Sequence, residues 1–316
     1  LKIVTFTLNP ALDKSTATER FVPEQKLRCN AWTMDAGGGG INVSKGISRL
    51  GGQSTAVMPL GGANGARIKE LLLTEKIQVL EYPVGYESRE NFSVTEMTTN
   101  LQYRFTLAGH PMEASDADAC LKLVASIKPD YLVASGSLPP GLPETYYEKV
   151  AHWAKKMGIR FVLDTSGAAL QAAAHEGLFM LKPNLSELSA LAGVSQLEMN
   201  QVDDAALQII HQGKCELVVV SMGPQGALLV TKDSFEHIPA PVVEKKTTVG
   251  AGDSMVAGMV WALSEGKSYQ EMAQMGVACG TAATLSKGTN LFQKADAMRL
   301  LSWIQEYGER YRFKDF

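Results

Sequence analysis

Short apolar runs alternate with amphipathic helical stretches along most of this chain, and that alternation leaves few folds open. The runs cover residues 3–8, 56–60, 131–135, 161–164, 217–221 and 227–231. The helical stretches cover 42–50, 66–75, 143–157, 203–211, 253–264 and 269–285. Short, continuously apolar runs read as strands buried on both faces, with the intervening helices as their cover. The pattern predicts an α/β fold around a mostly parallel sheet, with helices on both sides.

Two segments carry a different period. In 101–107, Leu101, Tyr103, Phe105 and Leu107 share one face, and Gln102, Arg104 and Thr106 share the other. In 26–32, Lys26, Arg28 and Asn30 alternate with Leu27, Cys29 and Ala31. Period two predicts half-buried strands. Residues 92–97 would pair with 101–107 through the turn Thr98-Thr99-Asn100. The expected organisation is a core of residues 1–12, 36–88 and 108–316, with a small antiparallel β lid inserted at 13–35 and 89–107. A small sheet with one apolar face cannot bury that face alone, so a homodimer through the lid is expected.

Composition narrows the partners. The 316 residues are 45% apolar and carry a net charge of −3. Neither nucleic acid nor an anionic membrane is expected. No long apolar run or signal-peptide pattern appears. Cys29, Cys120, Cys215 and Cys279 are widely spaced, without a zinc pattern, as in a reduced cytoplasmic protein.

Residues 248–254, Thr-Val-Gly-Ala-Gly-Asp-Ser, carry the chemistry. They stand immediately before the apolar-periodic run of Met255, Val256, Met259, Val260 and Leu263, which places Asp253 in the first turn of a buried helix. Glycines leave backbone N–H groups uncovered there, and the helix dipole adds positive potential, so the segment is an anion site. A carboxylate beside such a site can take a proton from a hydroxyl while the amides stabilise a transferring phosphoryl group.

Other segments point the same way. Thr7-Leu8-Asn9-Pro10-Ala11-Leu12-Asp13, Gly37-Gly38-Gly39-Gly40-Ile41-Asn42-Val43 and Lys182-Pro183-Asn184-Leu185-Ser186-Glu187 precede Gly250-Ala251-Gly252-Asp253 in the chain. Together they resemble the PfkB/ribokinase family of sugar kinases in type and order. That resemblance implies a ribokinase-like three-layer α/β/α core with a β lid over the sugar site, also used for dimerisation. It implies ATP and Mg²⁺ as cofactors, Asp253 as general base, and Gly250, Ala251 and Gly252 as the anion hole. Asn184 and Glu187 match the family's N-x-x-E motif, with Glu187 holding Mg²⁺ through water. Lys182, Ser221, Gly223 and Gly226 match the nucleotide side. Asp13, Gly38, Gly39, Asn42 and Ser137 match sugar contacts. A potassium site of backbone carbonyls would fall at Thr247, Val249, Ala283, Ser286 and Gly288.

Substrate choice turns on cations. A phosphate already on the sugar calls for Arg or Lys. Arg89 and Arg104 match residues near the sugar phosphate. Lys26 and Arg28 match lid residues that reach across the dimer. The fructose-1-phosphate branch tends to have Gly-Lys-Gly-Ile-Asn where this chain reads Gly38-Gly39-Gly40-Ile41-Asn42. The resemblance therefore favours fructose 6-phosphate, phosphorylated at its C1 hydroxyl, over tagatose 6-phosphate or fructose 1-phosphate. A non-catalytic sugar-phosphate sensor on the same fold is the competing reading. Neither a dinucleotide fingerprint nor a P-loop is present.

Overall fold

The computed structural model describes residues 1–174, 176–286 and 290–308. The chain order of strands is β1 (Ile3–Phe6), β2 (Ala11–Thr18), β3 (Thr33–Gly37), β4 (Thr55–Leu60), β5 (Gln78–Pro83), β6 (Arg89–Glu96), β7 (Gln102–Thr106), β8 (Tyr131–Ser135), β9 (Arg160–Asp164), β10 (Leu178–Leu181), β11 (Cys215–Ser221), β12 (Ala227–Val230) and β13 (Phe235–Ile238). The helices are α1 (Gly39–Leu50), α2 (Gly62–Thr74), α3 (Ala114–Ile127), α4 (Tyr146–Lys156), α5 (Gly167–Ala173), α6 (Leu185–Leu191), α7 (Val202–His211), α8 (Ala251–Ser264), α9 (Tyr269–Ala283) and α10 (Lys294–Gly308).

A nine-stranded sheet runs in the order β13-β12-β11-β10-β9-β8-β1-β4-β5. It is parallel from β5 to β11, and β12 and β13 close one edge antiparallel. Its strands are apolar on both faces, as the sequence requires. Ile3, Tyr131, Val133 and Val219 pack with α1, α8, α9 and α10 on one side. Val4, Phe6, Leu132, Leu163 and Val218 pack with helices drawn from α3 to α7 on the other. The chain leaves β1 for β4 on one flank and later returns to β8 on the opposite flank. Order therefore reverses between β1 and β8. In open α/β sheets, ligands bind beyond the carboxyl ends of the strands at such a point.

The second sheet has the order β3-β2-β6-β7. It is not wholly antiparallel, because β2 and β6 pair parallel from Ala11↔Arg89 to Thr18↔Glu96. The hairpin of β6 and β7 forms as expected, with Val94 opposite Tyr103 and Phe92 opposite Phe105. Asn100 takes the left-handed conformation at its turn, a conformation Asn tolerates well. Register places Asp13, Arg89, Asn91 and Arg104 on one face and Lys14, Phe92, Val94, Tyr103 and Phe105 on the other.

The expected strand at 26–32 is not formed. That segment lies in the connection between β2 and β3 and is irregular apart from one bridge, Thr18↔Cys29. Thr16 and Thr18 hydroxyls hold it through the Asn30 and Arg28 carbonyls. No layer covers it: Cys29 and Ala31 are exposed, so its alternation has no face to bury. At the lid's root, Lys45 of α1 is buried and paired with Asp35 of β3 and with Glu75, 3.1 Å away at the end of α2. This strut ties the lid's edge strand to the core.

Candidate active site

Many of the residues singled out by the sequence lie at or just beyond the carboxyl ends of β1, β8, β10 and β11, or on the small sheet beside them. Gly250 caps α8 with φ 72°, a left-handed value that favours glycine. That turn puts Asp253 in the first turn of α8. Its Oδ2 accepts Asn42 Nδ2 at 2.9 Å and its Oδ1 accepts Ser135 Oγ at 3.2 Å. Burial, with the Asp164 carboxylate nearby, pushes its pKa up to about 6, against Asn42, Lys182 and Ser135. Asn42, expected to touch sugar, here donates to Asp253.

Lys182 follows β10 and is buried, with Nζ 3.2 Å from Asp164 Oδ1. Burial alone would lower its pKa, but Asp164, Glu187 and Asp253 together raise it, so the ammonium stays charged. A Cβ added to Gly252 would lie 3.6 Å from Lys182 Nζ. The start of α8 and this ammonium are therefore neighbours, an arrangement that favours an anion.

On the lid side, Asp13 sits within β2. Its Oδ1 accepts Asn91 Nδ2 at 2.8 Å, and burial raises its pKa. Arg89 uses Nε and Nη2 on the Asn9 carbonyl (3.2 and 3.0 Å) and Nη1 on the Leu107 carbonyl (2.8 Å). A guanidinium has five N–H donors, so two remain. Arg89 lines a cleft of about 520 Å³ together with Asn9, Thr106, Ser137 and Pro139. Arg104 is exposed on the same lid face as Asp13. Lys26 and Arg28 are exposed on the β2–β3 connection and join none of these contacts within one chain.

The glycine run is shaped by its neighbours. A Cβ on Gly39 would meet Ser135 Oγ at 2.2 Å, and one on Gly40 would meet Thr7 Oγ1 at 2.4 Å. Gly38 adopts φ 126°. These positions need glycine so that α1 can begin against the ends of β1 and β8.

Asn184 and Glu187 form a capping box at the start of α6, with both bonds 2.9 Å. Glu187 Oε2 is thereby occupied, and burial raises the carboxyl's pKa. Both residues border a second cleft of about 290 Å³ with Gln171 and Ser186. Ser221 lies beside Asn184 through a parallel bridge, and its amide bonds the Pro183 carbonyl at 2.8 Å. Gly223 is open to solvent at φ 58°. Gly226 points elsewhere: a Cβ there would meet the Ile238 carbonyl at 2.0 Å, so the turn into β12 explains this glycine.

Among the described residues, no group of three or more His, Cys, Asp or Glu could hold a metal ion. A single carboxylate such as Glu187 is a donor of the kind Mg²⁺ accepts, since that ion keeps several waters. The loops carrying Thr247 and Val249 and those carrying Ala283 and Ser286 meet where the Thr247 and Lys246 amides bond the Thr284 carbonyl. Gly288 lies outside the described residues. Asp164 and Ser135 were not singled out by the sequence. Each is one polar residue ending an apolar strand, and that position was the available signal.

The model of the pfkB family carbohydrate kinases matches residues 7–296. The ATP-dependent 6-phosphofructokinase isozyme 2 of Escherichia coli is 40% identical over 306 residues, which is 96% of this chain and 99% of that protein. The crystal structure of E. coli phosphofructokinase-2 in complex with potassium superposes with a TM-score of 0.94, covering 97% of this chain and 100% of that one. Its complex with fructose-6-phosphate gives 0.92 at 39% identity, with the same coverage. A full-length match of this kind, on a fold whose glycine-capped aspartate faces a buried lysine, means that the chain belongs to the pfkB family of carbohydrate kinases.

Proposed function

We propose that this protein transfers the γ-phosphoryl group of ATP to the C1 hydroxyl of fructose 6-phosphate, giving fructose 1,6-bisphosphate and ADP. The observation that carries the reading is the Asp253 carboxylate, held by Asn42 and Ser135 at the start of α8 and facing Lys182. Asp253 takes the hydroxyl proton. The amides of Gly250, Ala251 and Gly252, with the Lys182 ammonium, stabilise charge on the transferring group. Asp13 with Asn91 orients sugar hydroxyls, and Arg89 and Arg104 meet the 6-phosphate, with Ser137 across the cleft. Lys26 and Arg28 serve a neighbouring protomer's site. Asn184, Ser221 and Gly223 flank the nucleotide.

Magnesium bound with the nucleotide would neutralise phosphate charge, with Glu187 reaching it through water. Potassium would rest on carbonyls near Thr247, Val249, Ala283 and Ser286; the potassium complex of the E. coli relative supports this assignment. Free cysteines and dependence on ATP fit a cytoplasmic location.

The direct test is an ADP-release assay with MgATP over fructose 6-phosphate, tagatose 6-phosphate, fructose 1-phosphate and free fructose. The largest kcat/KM is expected for fructose 6-phosphate. Preference for another phosphosugar would move the enzyme to a neighbouring branch, and absence of any turnover would favour a sensor.

The pH dependence follows from Asp253. A raised pKa means that the proton is retained to higher pH, so the basic form is lost as pH falls through about 6. The acid limb of kcat is expected there. A limb near the ordinary aspartate value of about 4 would contradict the burial of this carboxylate.

A homodimer through the lid is supported by its outer face. Phe105 is 48% exposed, Leu101 58% and Met97 55% in a single chain. Neighbouring exposed apolar groups of this kind mark interaction surfaces. Phe105→Asp is expected to shift the mass measured by light scattering to that of a monomer and to raise KM for the sugar phosphate. An unchanged dimer would place the interface elsewhere.

A further inference from the structure

We propose that Ser135 is a positioning residue whose single hydroxyl proton serves Asp253 before phosphoryl transfer and turns to Asp164 after it. The inference rests on the reading of Asp253 as the base. Ser135 Oγ lies 3.2 Å from Asp253 Oδ1 and 3.4 Å from Asp164 Oδ2, and the residue is 2% exposed. A hydroxyl donates one proton and can also accept, so only one carboxylate can receive it at a time. Both distances exceed the ~2.7 Å of a committed O–H···O bond, as suits a hydroxyl placed between two acceptors.

The two oxygens of Asp253 are not equivalent. Oδ2 faces the Asn42 NH₂, which donates and cannot accept. Oδ1 faces a hydroxyl, which can reverse its role. Oδ1 is therefore the oxygen that can carry a proton without losing its partner. In the transfer step the sugar O–H bond breaks and its proton goes to Oδ1. The sugar oxygen bonds the γ-phosphorus, and the bond to the ADP oxygen breaks. The new Oδ1–H donates to Ser135 Oγ, and the Ser135 O–H turns to Asp164 Oδ2. The serine O–H bond itself never breaks.

The surroundings allow this exchange. Gly39 has no Cβ, and one there would lie 2.2 Å from Ser135 Oγ. The charged groups facing Asp253 are Asp164 at the end of β9 and Lys182 after β10, with Glu187 of α6 acting on Lys182. Lys182 Nζ lies 3.2 Å from Asp164 Oδ1, on the carboxylate's other oxygen from the one that faces Ser135.

The test is the kcat–pH profile of the full-length enzyme and of Ser135→Ala, Asp164→Asn and their combination. Ser135→Ala is expected to lower kcat by about 10–100-fold, the worth of a charge-assisted hydrogen bond. KM for the sugar phosphate should stay within about twofold, since the group acts on the base. The acid limb should move to higher pH, because the Asp253 anion loses a donor. In the Asp164→Asn background the same substitution should cost less, because the two residues act as a unit. Ser135→Cys, close to isosteric with a weaker donor, should fall between serine and alanine, and it serves if the alanine variant fails to fold. Unchanged kcat and acid limb would reduce Ser135 to packing. Raised KM at constant kcat would make it a sugar contact. Independent costs in the double variant would rule out the exchange. A near-normal kcat in Asp253→Asn would instead overturn the base assignment, a separate failure.

Discussion

Asp253→Asn is expected to lower kcat by roughly 10²–10⁴-fold while leaving the fold and the sugar-phosphate KM close to those of the parent. The amide keeps the shape of the carboxylate but has no basic oxygen for the C1 proton. The neighbours tolerate the change in part. Asn42 Nδ2 and Ser135 Oγ both donate to the present carboxylate, and an amide at 253 still offers one acceptor to them. Removing this desolvated anion next to Asp164 also relieves like-charge repulsion, so the melting temperature should hold or rise. Rapid-quench or steady-state kinetics with saturating MgATP would measure the loss. Turnover within about tenfold of the parent would mean that another group takes the proton.

Arg89→Ala should act on the other kinetic constant. The guanidinium already spends three donors on the Asn9 and Leu107 carbonyls, which fixes its plane beside the cleft it lines and leaves two donors uncommitted. Pre-organisation of this kind makes arginine the suited residue for a phosphate. Loss of a charge-assisted contact of about 1.5–3 kcal/mol corresponds to roughly 10–100-fold in affinity. KM for fructose 6-phosphate should rise by about that factor, with a smaller change in kcat. The activity on free fructose, which has no phosphate to lose, should change far less. An equal fall for both sugars would instead assign Arg89 to holding the lid connection through those two carbonyls.

The parallel core was legible because its strands are continuously apolar, and burial on both faces leaves that signature. The lid was legible only where it alternates. β6 and β7 follow the pattern at 101–107, whereas β2, with Asp13, Lys14 and Ser15 in succession, has no pattern and is held by pairing with β6. Segment 26–32 shows the reverse: it alternates without a layer to cover it and stays irregular. In the site, Asp253 announced itself through the glycines that its turn requires. Asp164 and Ser135 did not, because one polar residue at a strand end carries no period. Only the strand order, which sets β8, β9 and β10 side by side, brings them together. The capping box of Asn184 and Glu187 shows that a motif can also serve its local helix.

The parallel ladder between β2 and β6 also bears on how the molecule assembles. Each insertion alone is a two-stranded ribbon, β2 with β3 or β6 with β7, and such ribbons are marginal in water. They become one sheet only when residues 11–18 meet residues 89–96, and β1, β4, β5 and α1 lie between or beside those segments in the chain. The loop-closure entropy of that meeting must be met before its contacts are gained. The lid therefore forms on a core that is already in place, so a refolding chain should regain its helical signal well before it regains affinity for sugar phosphate. Newly made protein passes through a stage in which the anion site is built and the roof over it is not.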